Sequence, residues 1–284
     1  MIYALVTMFF PDEKVLQNIK MLSSQVDCVI LCDNTPNADN QNIFTGIKNC
    51  SYIANKTNYG LSKAFNIALR SRNFNEEDYI LFFDQDSRIC EKYVEILVRH
   101  FEYINSRNDI GCIGPQYIDT NSKKVISPKK IETLSDNCYT VSSMITSGLL
   151  TRFSVLKKIQ FWNESIFLDM ADWDICWRMM ANGFKIVLCN EITLTHTLGK
   201  GIKKIGMFNL RINHPVREYY QIRDSIKIFW KKYVPLKYKL RFLCMWIFMP
   251  FVYIAFLPDK RTRIRYVCKA FSDGIKGLDG KCYL

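Results

Sequence analysis

No Cys-x-x-Cys pair occurs in this sequence, although eleven cysteines are spread over its 284 residues. This spacing argues against a zinc ribbon or a thioredoxin-type redox site. Several of the cysteines, among them Cys28 and Cys112, lie inside apolar runs, where a free thiol behaves as a small hydrophobic side chain. The cysteine pattern therefore favours a reducing compartment and predicts a cytoplasmic location.

Glycine is absent from the first strand-to-helix turn, Phe9-Phe10-Pro11-Asp12. The turn thus lacks the Gly-x-Gly-x-x-Gly pattern of a dinucleotide-binding dehydrogenase. Residues 1–7 carry no basic region and no small-residue cleavage site, so we expect a first strand there and no signal peptide. No internal repeat is visible, and a composition of 49% hydrophobic and 23% charged residues is that of a globular protein.

Positive charge is concentrated near the C-terminus. Residues 231–269 contain ten Lys or Arg and a single acid, Asp259, and so account for nine of the twelve net positive charges. Within this segment, residues 242–257 carry no charge and are interrupted by Pro250. A run of this length is marginal for crossing about 30 Å of hydrocarbon, but with basic flanks it suits an in-plane or re-entrant segment on anionic lipid.

Two other interpretations of the basic segment exist. The uncharged run could be a buried helical pair with Lys and Arg on its solvated side. Alternatively, basic residues interleaved with Tyr233, Tyr238 and Tyr266 could serve a nucleic-acid groove. Nucleic acid does not explain the uncharged run, and we therefore predict a membrane surface, and no nucleic acid, as the partner.

The rest of the chain alternates between apolar strand-like runs and helical patterns. We predict strands at 2–10, 26–32, 51–54, 79–84, 111–114, 141–145 and 185–189, helices after most of them, and helical sequence over 209–233. This alternation indicates an α/β fold with a parallel sheet and right-handed crossovers.

The stretch Tyr79-Ile-Leu-Phe-Phe-Asp-Gln-Asp-Ser87 organises this pattern. Its apolar residues predict a strand buried on both faces, which ends in Asp84-Gln85-Asp86. In open α/β sheets, ligands bind beyond the carboxyl ends of such strands. Two carboxylates there are costly to desolvate unless they meet a cation or hydrogen-bond donors, and a divalent metal that carries phosphates would suit them.

Three further acids crowd residues 167–183, which look like a helix that ends at Gly183. Asp169 can serve as the N-cap and Asp174 as an i,i+4 partner of Arg178, which leaves Asp172 without a structural role. A carboxylate of that kind in an apolar surround is a candidate general base. His196, which follows the last predicted strand, is of interest only if it pairs with Asp86.

The order and spacing of these elements resemble the family-2 glycosyltransferases of GT-A fold, in particular the bacterial rhamnosyltransferase-like members that build cell-envelope polysaccharide. The resemblance rests on Asp33-Asn34, Asn58-x-Gly60-x-x-x-Ala64-x-Asn66-x-Ala68, Asp84-Gln85-Asp86-Ser87, Ser147-Gly148, Phe167-Leu168-Asp169-x-x-Asp172-x-Asp174-x-Cys176-x-Arg178, Gly183, His196 with Gly199, and Arg217-x-Tyr219-Tyr220-x-x-Arg223. It implies a GT-A catalytic domain over residues 1–205. The helical, basic and aromatic region 206–284 would then associate with the membrane.

The resemblance also implies roles for individual residues. The nucleotide of a dTDP- or UDP-sugar donor would contact Phe9, Asp33, Asn58, Lys63, Asp84 and Gln85. Asp86 and His196 would hold Mn²⁺ or Mg²⁺ on the diphosphate, and Asp172 would deprotonate the acceptor hydroxyl. Attack on the face opposite the leaving group inverts the anomeric centre, the stereochemical logic known from glycosidases.

Three positions depart from the family pattern: Ala171 replaces the usual Glu before Asp172, Phe10 replaces a common Asn, and Asp224 stands where Asn is usual. Asp169 or Asp174 could therefore substitute for Asp172 as the base. We expect L-rhamnose from dTDP-rhamnose as the donor sugar and a lipid-linked saccharide as the acceptor, on the inner face of the cell membrane. The alternatives are a UDP-hexose donor (glucose, galactose or N-acetylhexosamine) and a non-catalytic GT-A-like module that binds membrane or nucleic acid.

Overall fold

The computed structural model describes residues 1–106, 109–120, 123–196, 201–205 and 208–284. For 196, 201–205 and 208–211 it describes the backbone only.

Twelve strands and eight α-helices alternate along the described chain. The strands are β1 (Ile2–Met8), β2 (Cys28–Asp33), β3 (Cys50–Ala54), β4 (Tyr79–Asp84), β5 (Ile110–Asp119), β6 (Val125–Ile126), β7 (Thr133–Ser135), β8 (Cys138–Val141), β9 (Leu149–Arg152), β10 (Lys185–His196), β11 (Gly201–Ile205) and β12 (Phe208–Ile212). The helices are α1 (Glu13–Ser23), α2 (Leu61–Arg70), α3 (Tyr93–Ile104), α4 (Phe153–Lys158), α5 (Ala171–Ala181), α6 (Pro215–Phe229), α7 (Leu236–Phe256) and α8 (Lys260–Ile275).

Ten of the strands form one sheet in the order β3-β2-β1-β4-β9-β5-β10-β8-β7, with β6 on β5. Strands β3, β2, β1 and β4 run parallel, as predicted. The short strand β9 is antiparallel to both β4 and β5, so the sheet is mixed, and the expectation of a wholly parallel sheet was wrong. Hydrophobic cores cover both faces of the sheet, which explains why β1, β2 and β4 are continuous apolar runs.

Local sequence signals set several helix ends. Asp12 caps α1, because its carboxylate accepts hydrogen bonds from the amides of Lys14 (3.0 Å) and Val15 (3.3 Å). Pro215 occupies the first turn of α6, where its missing N–H and fixed φ are tolerated. Helix α5 begins at Ala171, with Met170 at the cap position, so Asp169 does not cap it.

Two segments differ from the predictions in kind. The strand expected at 141–145 ends at Val141, and β8 begins earlier, at Cys138, where it pairs with β10. The helical sequence was expected to begin at 209, but residues 208–212 form β12, which pairs with β11 across the predicted domain boundary at 205/206. Strand β10 is longer than predicted, because its second half continues alongside β5 after a bulge.

Buried charged groups hold the C-terminal helices together and connect them to the loop before α5. Arg223 and Asp224 form an ion pair from which solvent is excluded, and Asp224 also accepts the Phe167 amide at 2.9 Å. A second buried pair joins Glu218 of α6 to Arg263 of α8. Breaking either pair by removing one partner would leave an uncompensated buried charge, so α6 and α8 are held in one arrangement.

Helix α7 is the one helix among the described residues that is long and apolar enough to cross a membrane by length and composition. It has 21 residues, a mean hydropathy of 1.5 in its most apolar window, and only 17% of that window is buried. The helix continues through Pro250, which lies on its buried side.

Candidate active site

A cleft of about 700 Å³ opens at the carboxyl ends of β1, β2 and β4. Its lining comes from the ends of these strands, the loop before α2, the loop before α5, the start of α6, one residue of α8, and the C-terminal tail. The residues are Thr7, Met8, Phe9, Asn34, Asn58, Gly60, Leu61, Asp84, Gln85, Asp86, Phe167, Leu168, His214, Val216, Arg217, Tyr220, Tyr266, Lys281 and Cys282. Five of the predicted donor and metal residues (Phe9, Asn58, Asp84, Gln85 and Asp86) thus share one cleft.

Asp84 and Asp86 bring two carboxylates to the floor of this cleft. Asp84 is half-buried at the end of β4, and Asp86 is exposed. Burial, together with the negative charge of Asp86, raises the pKa of Asp84 to about 7 against the opposing effect of Arg217. Carboxylate oxygens are the donors that Mg²⁺ and Mn²⁺ prefer, so the residues present fit such an ion.

Gln85 connects the Asp84-Gln85-Asp86 loop to the turn between β1 and α1. Its side-chain amide accepts the Phe9 amide (2.8 Å) and donates to the Phe9 carbonyl (3.0 Å), while its backbone carbonyl accepts Asn18 Nδ2 (3.0 Å). Gln85 therefore positions Phe9, whose ring remains 45% exposed at the cleft. We expected the Gln85 side chain to contact the nucleotide, but its hydrogen bonds go to the backbone of Phe9.

Asp33 is not brought to the cleft. Its carboxylate is buried and accepts hydrogen bonds from Thr35 Oγ1 (2.6 Å), Asn40 Nδ2 (2.7 Å) and the Tyr52 hydroxyl (2.6 Å). The next residue, Asn34, lines the cleft instead and donates to the Gly60 carbonyl at 3.0 Å. The contacts of Asp33 shape the loop that carries Asn34.

Gly60 allows the loop before α2 to approach the loop before α5. Its φ of +80° is in the left-handed region, and a Cβ at this position would lie 2.4 Å from the Phe167 carbonyl oxygen. That carbonyl accepts the Leu61 amide at 2.7 Å, and Asn58 Oδ1 accepts the Gly60 amide at 3.0 Å. Lys63, by contrast, does not line the cleft, and its ammonium lies 4.5 Å from the centre of the Tyr59 ring.

Asp172 lies at the first turn of α5, behind the lining residues and within electrostatic reach of Asp84. One carboxylate oxygen accepts the Thr146 amide (3.2 Å) and the Thr146 hydroxyl. Burial raises the pKa of Asp172 to about 6; the bonds from Thr146 oppose this rise and the charge of Asp84 adds to it. Among the described residues no cation lies within ion-pair distance of this carboxylate.

The other two acids of this segment have cationic partners. Asp169 forms an ion pair with Arg217, whose Nε lies 3.1 Å from Oδ1. Asp174 is buried, pairs with Arg178 at 2.7 Å as expected, and accepts the Tyr233 hydroxyl at 2.5 Å. Because Asp169 and Asp174 are both in ion pairs, Asp172 is the acid of the three whose carboxylate can most readily accept a proton.

The backbone of His196 ends β10 and pairs with Asp119. Just before it, Thr195 bridges to Arg88, two residues after Asp86, with both N–H···O contacts at 3.2 Å. The chain at 195–196 therefore runs beside the Asp84-Gln85-Asp86 loop. The His196 side chain and Gly199 lie outside the described residues, so the predicted metal contact of His196 stays a prediction.

Sequence reasoning did not assign Thr146, Arg217, Tyr220 or Lys281 to the site. Arg217 and Tyr220 belong to the Arg217-x-Tyr219-Tyr220-x-x-Arg223 motif, to which the sequence alone assigns no specific role. The ring of Tyr220 stacks on Phe167 (centroids 4.3 Å apart), and its hydroxyl accepts the Cys282 amide (2.9 Å). This contact brings the C-terminal tail to the cleft, and no local sequence pattern signals it.

The sheet order, the two-carboxylate loop and the cleft beyond the strand ends define a GT-A transferase fold that handles nucleotide-sugar donors. Residues 12–160 match the family model "Glycosyl transferase family 2", which is more than half of the chain. The chain belongs to that family and is an enzyme of the glycosyltransferase class.

Individual relatives agree with this assignment. The chain is 28% identical to a dTDP-rhamnosyl transferase, RfbF of Shigella flexneri, over 98% of its own length and 97% of the relative's. Among solved structures it resembles GalNAc-T7 with UDP, GalNAc and Mn²⁺ (TM-score 0.59, 11% identity, 97% of this chain and 56% of that one). It also resembles residues 1–349 of Staphylococcus aureus TarS with UDP-GlcNAc (TM-score 0.62, 14% identity, 98% and 81%). At these identities the structural likeness shows the fold alone.

Proposed function

We propose that this enzyme transfers L-rhamnose from dTDP-rhamnose to a hydroxyl group of a saccharide acceptor with inversion at the anomeric carbon. The observation that carries the proposal is a set of three acids: Asp84 and Asp86 line the cleft, and Asp172 lies behind the lining, within electrostatic reach of Asp84 and with no ion-pair partner among the described residues. The similarity to a dTDP-rhamnosyl transferase over nearly the whole chain supports rhamnose as the sugar.

The donor nucleotide occupies the part of the cleft lined by Phe9, Asn34 and Asn58, with Asp84 against the ribose or base. Asp33 and Gln85 act indirectly, because their polar groups hold Asn34 and Phe9 in place. Lys63, on the first turn of α2, contacts the ring of Tyr59 and thereby helps to position the loop that carries Asn58. The diphosphate reaches Asp86, with Arg217 as the nearest guanidinium of the lining.

Mg²⁺ or Mn²⁺ would be held by Asp86, with His196 as a further ligand. A bound ion of this kind supplies Lewis acidity that stabilises negative charge on the departing diphosphate. Asp172 accepts the proton of the acceptor hydroxyl while its oxygen forms the new bond to the anomeric carbon. The bond from that carbon to the phosphate oxygen breaks, and its electron pair leaves with the nucleoside diphosphate.

Thermal shift with a panel of nucleotide sugars in the presence of Mn²⁺ tests the donor. A ligand that binds the native state raises the melting temperature by mass action, by several degrees at saturating concentrations. We expect dTDP-rhamnose to give the largest shift, above UDP-glucose, UDP-galactose and UDP-N-acetylglucosamine. A larger shift with a UDP-hexose would show that this sugar nucleotide, and not dTDP-rhamnose, is the donor. No shift with any nucleotide sugar would favour the non-catalytic binding module.

We propose further that α7 lies in the plane of the inner face of the cell membrane, where a lipid-linked acceptor would be within reach. One side of the helix exposes the α7 stripe, which consists of Leu236, Leu240, Leu243, Ile247, Phe248 and Phe251. Around it lie the exposed cations Lys231, Lys232, Lys237, Arg241, Lys260, Arg261 and Arg265. An apolar stripe with basic flanks matches the chemistry of an anionic bilayer surface.

The opposite side of α7 favours in-plane binding over a crossing. Trp246 Nε1 donates to Ser225 Oγ of α6 at 2.8 Å, and the Tyr253 hydroxyl donates to Gln221 Oε1 at 3.4 Å. These contacts lie in the middle and last third of α7, where a spanning helix would be surrounded by lipid. Because α6 also carries buried ionic groups, the pair α6–α7 fits an interface better than a hydrocarbon core.

The double variant Ile247→Ser/Phe251→Ser is expected to bind phosphatidylglycerol vesicles at least about tenfold more weakly than the wild type, since two large apolar side chains no longer enter the lipid and the charge of the protein is unchanged. Vesicle co-sedimentation measures this. Ile131→Ser changes a similarly exposed apolar residue outside α7 and should bind as the wild type does. Equal binding of the double variant, or wild-type binding to oligonucleotides in preference to vesicles, would contradict the membrane assignment.

A further inference from the structure

A second cluster of ligand atoms lies on the far half of the sheet. Cys138 begins β8 and faces Cys189 of β10 directly across the antiparallel pair. Helix α3 packs on the same strands and brings His100 to them. The two thiols and the imidazole offer one ligand atom each, and all three atoms lie within 4.8 Å of one another.

A carboxylate holds the imidazole of this cluster in place. His100 Nε2 lies 2.5 Å from Glu191 Oε2, and the other oxygen of Glu191 accepts Arg99 Nη2 at 2.6 Å. Asn137, next to Cys138, donates to Glu191 at 3.3 Å. Histidines that bind metal typically present one ring nitrogen to the ion and the other to a carboxylate, which fixes the ring orientation and raises its basicity. With Nε2 on Glu191, Nδ1 is the nitrogen left for a metal.

The surroundings suit a bound ion. Both thiols are fully buried, whereas the side chain of His100 is 13% exposed. A cavity of about 370 Å³ opens beside the cluster and is lined in part by His100, Ser135 and Asn137. An ion can enter through this cavity, and a water molecule there can complete its coordination.

We propose that His100, Cys138 and Cys189 bind a zinc ion that ties α3 to β8 and β10. Two thiolates and an imidazole are soft and borderline ligands, which select Zn²⁺ over Mg²⁺ or Mn²⁺. The oxygen donors of Asp84 and Asp86 have the opposite preference, so the two sites take different ions. The ligands come from three separate elements, which is why the absence of a Cys-x-x-Cys pair does not exclude the site.

Metal analysis of the purified protein tests the site. After incubation with Zn²⁺ and dialysis, the wild type should retain about one zinc per chain, and Cys138→Ser and Cys189→Ser should each retain at least about tenfold less. Cys112→Ser is the matched control, because Cys112 is a fully buried thiol beside another, Cys176, in the other hydrophobic core of the sheet. It should retain zinc as the wild type does. Co²⁺ in place of zinc should give thiolate charge-transfer absorption in the wild type and not in Cys138→Ser.

Glu191→Gln provides a variant that keeps all three ligands and alters only the group that orients the imidazole. Its zinc affinity should fall about 10- to 100-fold, and the fold should persist because Glu191 is at the surface. A wild type without retained zinc, equal loss in Cys112→Ser, or a Cys138–Cys189 disulfide in place of bound metal would overturn the proposal. Asp86→Ala should retain zinc fully, so this result does not depend on the transfer activity.

Discussion

Replacing Asp172 with asparagine is expected to lower the rate constant for sugar transfer by about 10²- to 10⁴-fold, the usual contribution of a positioned general base. The amide keeps the shape of the carboxylate and can still accept the hydrogen bonds of Thr146, but it cannot take a proton from the acceptor hydroxyl. Binding of the nucleoside diphosphate with Mn²⁺ should stay within about twofold of the wild type, since Asp172 does not line the donor cleft. Single-turnover kinetics and calorimetric binding measure the two quantities separately.

The wild-type enzyme should show the matching pH dependence. Because burial raises the pKa of Asp172 to about 6, its carboxyl group is protonated below that pH and cannot act as a base. The rate of transfer should therefore rise with pH through about 6, and Asp172→Asn should lack this limb.

Asp169→Asn is the control for the base assignment, because it changes a neighbouring acid that is paired with Arg217. It should retain the limb at pH 6 and more transfer activity than Asp172→Asn. Near-normal turnover in Asp172→Asn would show that the base is another residue, and greater loss in Asp169→Asn would identify Asp169.

The second large effect is expected at Asp86. In Asp86→Ala, the gain in nucleotide affinity that Mn²⁺ gives the wild type should fall at least about tenfold, because the ion loses a carboxylate ligand next to the diphosphate. Affinity for the nucleotide without metal should change little, since the base and ribose contacts remain. Isothermal titration with dTDP, in the presence and absence of Mn²⁺, separates these contributions.

Glu95→Ala is the control for Asp86→Ala. It removes one exposed acid of α3, the same change in charge, at a position that does not line the cleft. It should leave both affinities at wild-type values. The metal role of Asp86 would be excluded if Asp86→Ala kept the full effect of Mn²⁺, or if it lost metal-free binding to the same extent.

Much of the catalytic half was predictable from sequence because its signals are strong and local. Strand β4 is a continuous apolar run that ends in two acids, and Asp12 caps α1 within three residues. The parallel order of β1, β2 and β4 then places Phe9 and Asp84 at one edge of the sheet. The ion pair Asp174–Arg178 follows from helical spacing alone.

Other features depend on contacts that sequence does not display. Strand β9 is four residues long and lies antiparallel between β4 and β5. Residues 208–212 (Phe-Asn-Leu-Arg-Ile) alternate apolar and polar residues as a strand does, but the segment is only five residues long and directly precedes helical sequence. The side chains of Asp33 and Lys63 were assigned by motif, whereas Thr35, Tyr52 and Tyr59 decide where they point. The zinc cluster combines α3, β8 and β10, so only the fold brings its members together.

The most direct test of the central claim is a crystal structure with dTDP-rhamnose and Mn²⁺, in which anomalous scattering locates the ion. We expect the ion between Asp86 and the diphosphate, and the Asp172 carboxylate on the side of the anomeric carbon opposite the diphosphate. An ion bound away from Asp86, or a sugar separated from Asp172 by protein with no path between them, would contradict it.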